Sequence, residues 1–166
     1  MAKTTVKAIS LKYGTVGGDA TTALMGVLKG LTVGQDTPDS TEIEAEFYDA
    51  PFDIFYDGQP VTMTFELANY DLSDLPALFG GSMSSDDYEG AAAAFTSEHS
   101  WELEFQRGHK ALYIYRGLTV GTIKKDADGA LNYSVTITAM IHTTGSGTEQ
   151  APYVDHMYKI KNRPNA

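Results

Sequence analysis

The chain has no cysteine among its 166 residues. That excludes a disulfide framework, a thiolate metal site and a cysteine nucleophile. No apolar run approaches the roughly 20 residues needed to span a bilayer as a helix. The start, Met1-Ala-Lys-Thr-Thr, lacks the apolar core of a secretory signal. The expectation is synthesis in a cytoplasm, with no membrane insertion. Basic residues are also scarce, 12 Lys and Arg against 22 Asp and Glu, for a net charge of −10. Non-specific nucleic-acid binding depends on Lys and Arg displacing phosphate counterions. This balance disfavours it, and it lets the protein lie beside DNA without adhering.

Signatures of chemistry are equally sparse. The histidines, His99, His109, His142 and His156, form no HxH or HExxH pair, so a zinc site has little support. They read as loop and strand-edge residues in partly wet positions. Asp126-Ala-Asp128-Gly129 resembles the first residues of a calcium loop, but position twelve counted from Asp126 is Ile137 rather than the Glu an EF-hand needs. A turn is the better reading. There is no GxSxG and no P-loop, and the glycine-rich stretches do not follow strands in the dinucleotide-binding pattern. Paired acids such as Glu42/Glu44/Glu46 and Glu102/Glu104 alternate with apolar residues. They are expected on solvated strand faces, whereas a catalytic acid needs a raised pKa, usually from burial. The residues therefore point away from an enzyme, and no cofactor or metal is expected.

What the chain has in quantity is alternation. Val61, Met63, Phe65 and Leu67 alternate with Thr62, Thr64 and Glu66, and Trp101, Leu103 and Phe105 with Glu102 and Glu104. Ile43, Ala45 and Phe47 alternate with acids, and Tyr133 to Ile141 repeats the pattern. These are strands with one buried face. Leu112 to Tyr115 adds another, rich in β-branched and aromatic residues. Asp57-Gly58, Arg107-Gly108 and Asp128-Gly129 mark turns, the last closing a hairpin.

One helix is expected, over Leu72–Phe79, with Asp71 or Ser73 as N-cap and Gly80-Gly81 ending it. Pro76 limits it to about two turns. Ala20–Leu31 has helical spacing interrupted by two glycines and stays undecided. Thr32–Ser40, Ser82–Gly90 and Thr143–Pro152 read as loops, and the segment from Lys161 onward as a frayed end. A single domain over 1–166 follows, with flexible termini and a long loop within about 32–58. Tyr48, Phe52, Phe55 and Tyr56 cluster around Pro51 in a segment too irregular for a plain strand. Either they close the domain's own core or they serve a subunit interface, where aromatics are enriched.

Three stretches, in this order, resemble the major tail tube proteins of long-tailed bacteriophages and prophages. The first is the acidic strand and irregular loop of Thr41–Pro51. The second is the strand Val61–Ala68, passing through Asn69-Tyr-Asp71 into the short helix Leu72–Phe79 and Gly80-Gly81. The third is Leu118–Ile123, a hairpin turn, and Asn132–Ala139. The likeness covers most of the chain and is a pattern of strands, one helix and turns.

The resemblance implies a mainly β fold, an antiparallel β-sandwich or rolled β-barrel with one short flanking helix. It implies a virion-tail protein that self-assembles into hexameric rings, which stack into a tube through which DNA leaves without specific binding. Tape-measure and terminator proteins of the tail would be its other partners. Acids lining the lumen would repel DNA, although salt screens their field beyond about 8–10 Å. Glu42, Glu44, Glu46 and Glu66 are the candidates for that lining. Tyr48, Phe52, Phe55 and Tyr56 are the candidate interface loop. Lys159, Lys161 and Arg163 form a candidate basic tail reaching acids on a neighbour. Type VI secretion tube proteins share the fold. A carbohydrate- or surface-binding β-sandwich, with Trp101 and tyrosines as stacking platforms, is the competing reading from another class.

Overall fold

The computed structural model describes residues 8–162 except 25, 38, 44–52, 58, 93–95, 106–109, 126 and 128. In chain order its first strands are β1 (Ala8–Gly14), β2 (Ala20–Ala23), β3 (Val27–Gln35), β4 (Asp39–Ile43), β5 (Asp53–Asp57) and β6 (Val61–Ala68). A 3-10 turn, Leu72–Asp74, leads into helix α1 (Leu75–Phe79). Strands β7 (Ser82–Ser84), β8 (Asp87–Glu89), β9 (Ser97–Phe105), β10 (Ala111–Lys125) and β11 (Leu131–Ala139) follow. The chain closes with β12 (His142–Thr144), β13 (Val154–His156) and β14 (Tyr158–Lys161).

The fold is mainly β, a curled antiparallel half-barrel with one short helix. Its main sheet runs β2-β1-β9-β10-β11-β6-β3, and β14 pairs with the first part of β10. Three two-stranded ribbons stand apart from that sheet: β4–β5, β7–β8 and β12–β13. The alternating sequence explains the layering. Leu11, Tyr13, Trp101, Leu103, Ile114, Val135, Ile137, Met63, Phe65 and Leu67 share the inner face and are buried. Helix α1 closes that face with Leu75, Leu78 and Phe79.

The helix forms as its sequence predicts. Asp71 is the N-cap, its Oδ1 accepting from the Ser73 amide at 3.0 Å. Pro76 sits in the first turn, where its missing N–H costs nothing. The Gly80 N–H donates to the Pro76 carbonyl at 3.1 Å and ends the helix.

Two glycines of β10 make the core possible. A Cβ on Gly117 would stand 2.7 Å from Cδ1 of Trp101, and one on Gly121 only 2.2 Å from Cε1 of Phe79. Trp101 therefore packs directly against the β10 backbone at Gly117, its indole Nε1 donating to Oγ1 of Thr119 at 3.2 Å. That bond satisfies a donor that burial would otherwise leave costly. Phe79 fills the next gap and stacks on Tyr133, with ring centroids 4.7 Å apart and planes 7° from parallel.

Several expectations need correction. Ala20–Leu31, undecided from the sequence, forms β2 and the start of β3, because pairing with β1 and β6 outweighs a weak helical spacing. Thr32–Gln35 continues β3 rather than beginning a loop, and Asp39–Ile43 is β4. Ser82–Gly90 contains the β7–β8 hairpin, turned at Ser85 with φ of 56°. The aromatic segment read as irregular contains β5, which places Phe55 opposite Thr41 and Tyr56 opposite Ser40. Lys161, expected to fray, is the last residue of β14 and pairs with Ala111.

A double-variant cycle tests the glycine stripe. Gly121→Ala should cost about 1–3 kcal/mol by overpacking against Phe79. Phe79→Ala should cost about 3–5 kcal/mol. The double variant should cost clearly less than their sum in denaturant unfolding, since either truncation relieves the other. Simple additivity would contradict the contact.

Candidate assembly surface

The opposite face of the sheet is polar. Thr62 faces Thr138 and Thr64 faces Thr136 across the β6–β11 ladder. The Thr32 and Thr64 hydroxyls hydrogen-bond to each other. Acids on this face are matched with bases from neighbouring strands. Glu66 reaches Lys124 at 3.5 Å and accepts from the Asn132 amide at 2.9 Å. Glu104 meets Lys12 at 3.5 Å, and Glu102 meets Lys161 at 3.3 Å. Glu98 takes both arms of Arg116, at 2.8 and 2.9 Å. The Arg116 hydrogen bond, helped by the Arg116 charge, holds the Glu98 carboxyl below its usual range against the opposing effect of desolvation.

Glu102 corrects the expectation of a solvated acid stripe. It is buried, at 7% exposure. It lies on a central strand between Lys12 and Tyr113, and Lys161 of β14 is its ion-pair partner. A buried charge persists when paired in this way.

An irregularity in β10 organises the rest of this face. Ile114 pairs with Trp101 and Gly117 with His99, so Tyr115 and Arg116 together oppose Ser100. Such a bulge re-aims side chains and frees backbone groups. Here the Tyr115 carbonyl accepts from Gly17 N–H at 2.9 Å, and the Arg116 carbonyl from Met140 N–H at 2.7 Å. The turn after β1 and the entry to β12 are thereby fixed to the bulge.

Around it gathers an aromatic shelf. Tyr113 meets Tyr115 edge to face at 4.9 Å. Tyr115 stacks on His142 at 5.9 Å and on His156 at 5.3 Å, near parallel to both. His142 and His156 are direct partners across the β12–β13 ribbon. The Lys159 ammonium stands 5.2 Å from the Tyr113 ring and 5.8 Å from the Tyr115 ring, and Lys161 stands 4.9 Å from Tyr113. These are cation–π distances. Lys161 is also held by Glu102, whereas Lys159 has no carboxylate partner among the described residues.

The remaining sequence candidates distribute as follows. Glu66 is half-buried on β6, Glu42 lies on β4 opposite Ile54, and Glu44 and Glu46 fall outside the described residues. Phe55 and Tyr56 are on β5, while Tyr48 and Phe52 lie outside the description, as does Arg163. Lys159 and Lys161 share the polar face of β14. Trp101 is fully buried and cannot act as an exposed stacking platform. The shelf of Tyr113, Tyr115, His142 and His156 escaped sequence reasoning. Its one sequence signal is the placement of both tyrosines on the polar side of the Leu112–Tyr115 alternation.

Among the described residues no group of three or more His, Cys, Asp or Glu is placed to hold a metal, and no helix is long and apolar enough to cross a membrane. No family model and no curated protein sequence matches the chain.

On the core side, burial raises the Tyr13 pKa to about 12, reinforced by the Asp74 charge and by the hydrogen bond that the Tyr13 hydroxyl donates to Asp74 Oδ1 at 3.2 Å. His99 contacts Tyr13 edge to face at 5.4 Å. Burial pushes its pKa down. The unfolded chain then takes up this proton at higher pH than the folded chain does. His99 therefore contributes stability that is complete above about pH 6.5 and drains as pH falls through the depressed folded value. Melting temperature should fall between pH 7.5 and pH 5.5, and His99→Phe should flatten that fall. An unaltered pH profile in the variant would show that His99 is not the responsible group.

Proposed function

We propose that the chain is a structural subunit of a tube, of the kind that forms phage tails, and not an enzyme. One observation carries the reading: the main sheet ends in an open, nine-residue edge. Strand β3 pairs only with β6 among the described strands, contains no proline, and exposes Val33 at 41%. A long exposed edge of this kind invites pairing with another chain. A head-to-tail interface that closes into a ring removes the edge and prevents open-ended growth. The curled single sheet, with a polar threonine-rich face opposite the core, suits a wall element.

In this reading six copies form a ring and stacked rings form the conduit in the virion tail. DNA passes through, and the tape-measure and terminator proteins of the tail are the remaining partners. Glu42, Glu44, Glu46 and Glu66 line the lumen. The Asn132 and Lys124 contacts of Glu66 moderate its charge, so most of the repulsion falls to the β4 segment. Tyr48, Phe52, Phe55 and Tyr56, carried on and beyond the β4–β5 ribbon, face the adjacent ring. A type VI secretion tube would use the same architecture. The competing carbohydrate-binding reading loses its main platform with Trp101 buried.

Electron microscopy of the concentrated protein tests the proposal. Hollow rings or tubes are expected, and persistent monomers would contradict it. Reversing Glu42, Glu44 and Glu46 to Lys should leave rings intact and slow DNA ejection from particles carrying the variant. Unchanged ejection would remove these acids from the lumen.

A further inference from the structure

Strand β14 lies off the main strand order and pairs only with β10 among the described strands, so it too has an open edge, and its two faces differ. Tyr158 and Ile160 pair with Ile114 and Leu112 on the core side, yet they remain 40% and 58% exposed. Lys159 and Lys161 lie on the other face, over the tyrosine shelf. The strand thus offers an apolar face, a cationic face and, among the described residues, one edge with no strand paired to it.

The β7–β8 hairpin is the converse. Ser82 opposes Glu89 and Ser84 opposes Asp87, so one face is polar and acidic. Met83 opposes Tyr88 on the other face. Met83 is 38% exposed, while Tyr88 is half-buried and donates to the Gly80 carbonyl at 2.6 Å. Among the described residues β8 pairs only with β7, and neither Asp87 nor Glu89 has a cationic partner.

We infer that β14 of one copy receives β8 of a second copy as an added antiparallel strand. Setting Glu89 opposite Lys159 places Tyr88 opposite Ile160 and Asp87 opposite Lys161. One register therefore matches charge on one face and apolar surface on the other. A one-residue slip in either direction would set one of the acids against Ile160 and break both ion pairs, so the register is specified. Opposite-charge and aromatic–aliphatic cross-strand pairs each stabilise such a ladder.

The two elements cannot meet within one chain. The hairpin is tied to the end of α1, whose Phe79 lies against Gly121, while β14 pairs with Ala111–Ile114. About eight residues of β10 separate them, roughly 25 Å at strand rise. The contact is therefore head-to-tail. It rests on the tube reading for its closure into rings, and it names one contact between neighbouring copies in addition to the β3 edge.

Because the chain has no cysteine, a Glu89→Cys/Lys159→Cys variant is a clean probe. Under mild oxidation the inference expects a ladder of covalent multimers on a non-reducing gel, absent from either single variant. Lys159→Glu should raise the protein concentration needed for assembly by at least about tenfold through like-charge opposition. Adding Glu89→Lys in the same chain should restore it. Rings or tubes that form with no ladder, and with no effect of Lys159→Glu, would overturn this contact while leaving the tube reading intact. A ladder in protein that forms only open fibres would support the contact and overturn the ring. Protein that stays monomeric and gives no ladder overturns both.

Discussion

Strand β10 cannot carry a side chain where Trp101 and Phe79 lie across it. Gly117 and Gly121 leave that space, and the core is built into it. Because Trp101 is seated there, β9 and β10 run side by side and the inner face closes under α1. Because β10 spans 15 residues, one flank serves two neighbours: β11 along its second half and β14 along its first. The bulge at Tyr115–Arg116 separates these two halves. It turns Arg116 toward Glu98 and sets Tyr115 among His142, His156 and Lys159. Core packing and the arrangement of the outer face are therefore consequences of one strand.

The outer face combines two kinds of electrostatics. On the sheet itself, Glu66, Glu98, Glu102 and Glu104 each have a base from a nearby strand. The exposed and half-exposed pairs among them contribute little stability individually, whereas Glu102 is buried, and together they neutralise the face. The unmatched negative charge of the described chain then concentrates on peripheral elements, including the β7–β8 hairpin. Lys159 is a cation left beside aromatic rings rather than beside a carboxylate. Charge separated in this way on an acidic protein favours oriented contact between copies and suppresses random association.

Much of the β architecture was legible because period-two alternation is strong wherever one face is buried. Val61–Ala68 and the second half of Leu131–Ala139 follow it closely, whereas Ser97–Phe105 departs from it where Glu102 is buried. The α1 region was legible from Asp71, Pro76 and Gly80, each of which acts locally. Short ribbons were not. Ser82–Glu89 is polar on one face and exposed except at Tyr88, so composition alone reads as loop. Phe55 and Tyr56 sit in a strand whose partner, Asp39–Ile43, lies across a long connection. Glu102 looked solvated because its cover, Lys161, arrives from 59 positions later in the chain. The tyrosine–histidine shelf assembles from β10, β12, β13 and β14, and no local pattern announces a contact of that range.

The central claim is that the open edges at β3 and β14 are closed by other copies of the chain. Amide hydrogen exchange, compared between dilute protein and protein at the highest soluble concentration, tests it most directly. Exchange at Val27–Gln35 and Tyr158–Lys161 should slow markedly on concentration, while amides of β9 and β11, already paired on both sides, should change little. Equal exchange at both edges under the two conditions would contradict the account.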